Sequence, residues 1–171
     1  MKLSINAIKL LKEVEGNKLK SYKDSAGIWT IGYGNITYED GSSVKEGEII
    51  TQARAELLLN NLFPKYYMAV EKLVKSAVNQ NQKDALAVFC YNIGIGAFSS
   101  STVLKRVNLN PNDVVGIKEA FGRWVYAGDG TKNKKDDDGD GLIDEPGEKQ
   151  KVEGLVNRHL KEVNLYFKPQ E

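Results

Sequence analysis

The sequence predicts an α+β fold: a small sheet near the N-terminus on a larger, mainly helical part, with a cleft between them. Three observations carry that expectation. Short alternating segments with turn residues lie between Gly16 and Gly41. Apolar residues recur at helical spacing before them and again from Thr51 onward. No repeat and no low-complexity linker divides the 171 residues. The chain therefore reads as a single domain, with a β-containing lobe at about 14–50 and a helical lobe at about 51–171.

Ser4 is a plausible N-cap, and Ile5, Ile8, Leu11 and the flanking Leu10 and Val14 form one apolar face that Gly16 stops. Glu15 is thereby expected at the C-terminal end of this helix. Leu19 to Asp24 and Ile28 to Ile31 read as short antiparallel strands around "DSAG", with Gly32, Gly34 and Gly41 marking turns. Thr51 caps a helix that ends at Pro64, and a second helical pattern covers Lys65 to Val78. Asn81 is the expected cap of the apolar core helix "QKDALAVFCYNIG", ended by Gly94 and Gly96. The serines of "SSST" cap "VLKRVN". Asn110-Pro111 starts a further helix to about Trp124, because proline suits the first helical position. A final helix lies near "KVEGLVNRHLKEVNLYF".

A chain of this length buries about two-thirds of its unfolded surface and needs no disulfides. Its single Cys90 permits no internal bridge and reads as core filler. No apolar run approaches the roughly 18 residues of a membrane span. "MKLSINAIKLLKEVEG" is not a secretory signal, since charges interrupt it at helical spacing. The net charge of +1 hides an asymmetry. Eight of the 23 acids and four of the 24 bases fall between Gly128 and Gln150, leaving the rest of the chain cationic. A cationic body suits an anionic partner such as a cell wall, although solvated lysines explain it equally well. No nucleic-acid motif or focused basic stripe is present, so nucleic acid is not expected.

The stretch "EGNKLKSYKDSAGIWTIGYG" carries the chemistry. Eight residues separate Glu15 from Asp24, and five separate Asp24 from Thr30. Hydrolysis of a glycosidic bond needs two carboxyl groups, one protonated and one ionised. Different surroundings create that split. A helix C-terminus disfavours a carboxylate at Glu15, whereas a polar turn suits an ionised Asp24, and the Thr30 hydroxyl could hold the same water. On spacing alone, Asp24 is better explained as a turn aspartate and Thr30 as a strand threonine.

The complete string resembles the catalytic signature of the phage-type lysozymes, the endolysin muramidases of glycoside hydrolase family 24. "FCYNIGIGAFSSSTVLKRVN" resembles that family's "FNxGxGAFxxSTLLKxxN" block, and "FGRWVYAG" with "GLVNRHLKEVNLY" resembles its "W..AGG…GLxxRRxxE" end. The resemblance implies a lysozyme-like fold and cleavage of the β-1,4 bond between N-acetylmuramic acid and N-acetylglucosamine in peptidoglycan. It implies Glu15 as general acid, Asp24 with Thr30 on the hydrolytic water, and inversion, with the carboxyl groups roughly 6.5–9.5 Å apart. It further implies no cofactor for catalysis. A monomer held in the host cytoplasm until a holin opens the membrane is also expected. Asn92 could bond an acetamido group or cap its helix. Ser101 and Thr102 could touch sugar, although capping suits them better. Trp29 and Trp124 could stack on sugar faces but suit the core. His159 stands where the family often has arginine and is given no chemistry.

One stretch departs from the family. About twenty extra residues, at about 129–150, carry "DDDGDGLID". Asp136, Asp138, Asp140 and Asp144 fall at positions 1, 3, 5 and 9 of a calcium loop, with Gly141 at position 6 and the Leu142 carbonyl at position 7. Gly147 breaks the pattern at position 12, and an acidic solvated loop is the plainer alternative. Two competing functional classes remain: a lytic transglycosylase, against which Asp24 and Thr30 argue, and a non-catalytic wall-binding or calcium-dependent module.

Overall fold

The computed structural model describes residues 4–24, 27–127 and 150–169. The calcium-loop pattern at Asp136–Asp144 lies outside them. Helix α1, Ile5–Glu15, begins where the Ser4 Oγ accepts from the Asn6 amide and ends at Gly16, whose φ of 65° suits glycine. Strands β1, Lys18–Lys23, and β2, Trp29–Gly32, pair antiparallel, with an irregularity in β1 between Lys18 and Tyr22. Tyr22 lies opposite Thr30 in that register.

Helices α2, Gln52–Leu62, and α3, Pro64–Leu73, meet at Phe63. Helix α4, Gln80–Ile93, is buried along most of its length and packs against α1, α3 and the C-terminal helix. The short helix α5, Ile95–Ser100, leads into α6, Thr102–Leu109, and α7, Val114–Gly122. Two-residue strands β3, Tyr126–Ala127, and β4, Gln150–Lys151, pair antiparallel before α8, Glu153–Tyr166.

Two cores result. The large one gathers Leu11, Phe63, Phe89, Phe98, Ile117, Phe121 and Tyr166 around α4, and Cys90 is buried within it. Trp124 packs there, its ring 5.7 Å from that of Phe89. The small core joins Ile31 and Val44 of the sheet region to Leu58 of α2, with Trp29 against it. Both tryptophans thus contribute to packing.

Four boundaries differ from expectation. The cap of α4 is Asn79, which forms a reciprocal capping box with Gln82. Asn81 is buried, its amide donating to the carbonyls of Lys168 and Pro169. Helix α3 stops at Leu73, short of Val78. Pro111 does not start α7. Asp113 caps it through the Gly116 amide, while the Pro111 carbonyl accepts from Gln82 and from Tyr166. Gly94 ends α4, but Gly96 lies inside the unforeseen α5.

Candidate active site

Glu15 occupies the last position of α1, and the far end of that helix is fixed to α4. Ser4 Oγ donates to the buried Asp84 carboxylate at 2.6 Å, and Tyr67 donates to the other oxygen at 2.8 Å. The negative carboxylate also suits the positive N-terminus of α1. The Glu15 side chain is 17% exposed and its Oε1 accepts from Arg158 Nη2 of α8 at 2.6 Å. Arg158 is itself 8% exposed and donates through Nε to the fully buried Glu162 at 3.1 Å. The helix C-terminus and the guanidinium therefore act on Glu15 with opposite sign.

Gly34 forms the neighbouring wall. A Cβ placed there would lie 3.9 Å from Glu15 Oε2 and 3.5 Å from the Tyr91 hydroxyl, at a φ of 97° that side chains rarely adopt. Tyr91 of α4 donates to the Tyr33 carbonyl at 2.6 Å, tying the helical body to the turn beside Glu15. Burial pushes the Tyr91 phenol far above its ordinary range, and the charge of Glu15 adds to this, so the hydroxyl remains a donor.

Asp24 is held differently. Its amide donates to the Ile28 carbonyl, its carbonyl accepts from Gly27, and its Oδ1 accepts from the Ile28 amide at 2.9 Å. These bonds close the β1–β2 hairpin, with Gly27 at a φ of 77°. Thr30 is buried and its hydroxyl donates to the Ile28 carbonyl at 3.0 Å. Tyr22 relates the two carboxylates. Burial raises its pKa, and the charges of Glu15 and of Asp24 both raise it further. Its phenol thus stands in the field of both groups, directly across the ladder from Thr30.

The other candidates divide. Asn92 is half-buried in the last turn of α4. Ser101 is buried and caps α6 by accepting from the Leu104 amide at 3.1 Å, so its hydroxyl serves the helix; Thr102 is the first residue of α6. Among the described residues no group of three or more His, Cys, Asp or Glu could hold a metal ion. No described helix is long and apolar enough to cross a membrane. Sequence reasoning missed Arg158, Tyr22 and Tyr91. The spacing of Arg158 and Glu162 on one helix face was a legible signal; the pairing of Arg158 with Glu15 was not.

The small sheet on a helical body is the architecture of the lysozyme-like α+β proteins. The chain matches the family model described as phage lysozyme over residues 12–162. It is 42% identical over 128 residues to the endolysin of Salmonella phage P22, covering 75% of this chain and 86% of that protein. The endolysin from Escherichia coli O157:H7 phage FAHEc1 superposes with a TM-score of 0.80 at 36% identity, over 99% of this chain and 98% of that one. The muramidase domain of SpmX from Asticaccaulis excentricus superposes with a TM-score of 0.78 at 31% identity, over 98% and 99% of the two chains.

The chain belongs to the phage lysozyme family. Its activity is that of a lysozyme, a muramidase of the glycoside hydrolase class acting on peptidoglycan, and its relatives are endolysins. This membership favours neither a transglycosylase nor a non-catalytic binding module.

Proposed function

We propose that Glu15 is the general acid for the β-1,4 bond between N-acetylmuramic acid and N-acetylglucosamine, and that Asp24 and Thr30 hold the hydrolytic water. The observation that supports this is Tyr22, whose phenol feels both carboxylates and faces Thr30 across the ladder. Arg158 engages Oε1 of Glu15, while Oε2 lies beside Gly34, which contributes no side chain of its own. Oε2 is thus the oxygen suited to carry a proton to the leaving group. The Thr30 proton is committed to Ile28, so its oxygen serves a water as acceptor. The Asp24 carboxylate, bonded to the Ile28 amide, takes the proton as that water attacks. A water between the carboxylates gives inversion.

Glu15→Gln and Asp24→Asn should each lower wall hydrolysis by about 10²–10⁴-fold. Mass spectrometry of the digest should find reducing muramic ends, and NMR should find the inverted anomer first. Wild-type rates in either variant, or 1,6-anhydro ends, would overturn the assignment. The acidic insertion is proposed as a structural calcium loop that plays no part in the chemistry. Millimolar calcium should raise Tm and a chelator reverse it, with no change in either direction refuting the idea. The chain is also proposed to act as a monomer and to reach the wall from the host cytoplasm through a holin-type pore. Host cells producing it alone should stay intact until their membrane is permeabilised.

A further inference from the structure

We infer that His159 is a positioning residue for Glu15: it keeps the donor fork of Arg158 divided between two carboxylates. The inference rests on the reading of Glu15 as the acid. Four side chains form a connected series. Arg158 Nη2 donates to Glu15 at 2.6 Å, and its Nε donates to Glu162 Oε1 at 3.1 Å. His159 Nδ1 lies 2.6 Å from Glu162 Oε2, and its Nε2 lies 3.1 Å from the Trp124 carbonyl. The side chains of Arg158, His159 and Glu162 are 8%, 3% and 0% exposed.

Helical spacing explains why one carboxylate serves two partners: residues 158 and 159 stand four and three positions before Glu162, both within reach on one face. An arginine closes most strongly on one carboxylate when Nε and Nη2 bond its two oxygens in parallel. Here that fork is split. Its Nε takes one oxygen of Glu162, and the second oxygen is already occupied by His159. Nη2 is thereby left for Glu15. Both ring nitrogens of His159 face oxygen atoms, and the tautomer with its proton on Nδ1 donates to Glu162. The buried Glu162 carboxylate thereby has a partner on each oxygen, in a site where an unpaired charge is strongly unfavourable.

Without a donor at Glu162 Oε2, the Arg158 fork would turn inward, bond Glu162 with both nitrogens and release Glu15. Around His159, α8 presents Glu162 and Arg158; on its other side His159 and Lys118 of α7 both line a cavity of about 270 Å³. Phe89 of α4 and Phe121 of α7 pack against the ring, and Glu15 is reached only through Arg158.

The test pairs two amides. Asparagine places its amide nitrogen near the position of Nδ1, and glutamine near that of Nε2. His159→Gln should lose the donor to Glu162, lowering kcat about tenfold with little change in KM, because an acid displaced by about 1 Å is a poor donor. The alkaline limb of its pH–rate profile should move to higher pH, since Glu15 loses its cation. His159→Asn should keep the donor and stay within about threefold of wild type. Glu162→Gln should move the alkaline limb the opposite way, because Arg158 then has Glu15 as its one carboxylate. That variant carries the test if His159→Gln does not fold. Equal kcat in the glutamine and asparagine variants, or alkaline limbs that stay put or move together, would overturn the inference. If these fail while Glu15→Gln is inactive, only the positioning role falls. An active Glu15→Gln would remove the catalytic reading itself.

Discussion

Glu15 and Asp24 are held by opposite means. The Glu15 carboxylate is fixed by a guanidinium 143 positions along the chain, backed by a buried glutamate and a histidine. The Asp24 carboxylate is fixed by an amide four positions away, within its own hairpin. The first arrangement costs desolvation of several charges and depends on the whole helical body. The second includes a bond made within the turn itself. The group proposed as proton donor thus draws on tertiary structure, whereas the group proposed to orient water sits in a half-exposed loop.

Breaking the pairing on the Glu15 side should have the largest effect on stability. Arg158→Leu leaves Glu162 buried with only its contact to His159 among the partners described above, and should cost about 3–5 kcal/mol. Urea denaturation measures it. Asp24→Asn keeps an oxygen for the Ile28 amide and should stay within about 0.5 kcal/mol of wild type by the same method. Comparable losses in the two variants would erase the distinction between tertiary and local support.

The two glycine turns sharpen it further. Gly34→Ala and Gly27→Ala both place a side chain at positive φ and should each cost about 1–2 kcal/mol. Only the first adds a methyl group near Glu15 Oε2, so it should lose more activity at equal Tm cost. Tyr91→Phe strands the Tyr33 carbonyl and should cost about 1 kcal/mol, read as a Tm decrease.

Acid should separate the two regions with the smallest effect. The Lys45 amide and the Tyr38 hydroxyl hold Glu48 below the usual carboxylate range, and Arg54 with its companions does the same for Glu39. Groups with depressed pKa contribute stability that is full above the ordinary carboxylate value and is lost as pH falls through the folded value. Between about pH 5 and 3, amide exchange should therefore rise around residues 36–48 before it rises in α4. Simultaneous loss of protection would refute this.

The same contrast explains what could be read in advance. Helix α1 was legible because its cap, its apolar period and Gly16 are all local signals. So was the hairpin, whose turn residues and alternation sit in one short stretch. The cap of α4 was misplaced because Asn79 and Asn81 are both good caps. Their choice was made by the carbonyls of Lys168 and Pro169, which claim Asn81 from the far end of the chain. Pro111 misled for a similar reason: its carbonyl is used by α4 and α8 rather than as a helix start. Arg158 could be paired with Glu162 by spacing, yet nothing local points to Glu15.

The register of β3 with β4 sets Ala127 against Gln150, and the Val152 amide bonds the Val125 carbonyl just below them. Everything between those partners enters and leaves through one closed doorway. Closure entropy rises only slowly with the length of an excursion, so segments of very different size can be exchanged at this port without disturbing α7 or α8. The β3–β4 pair thereby joins α7 to α8 by itself, whatever length of chain the two strands bracket.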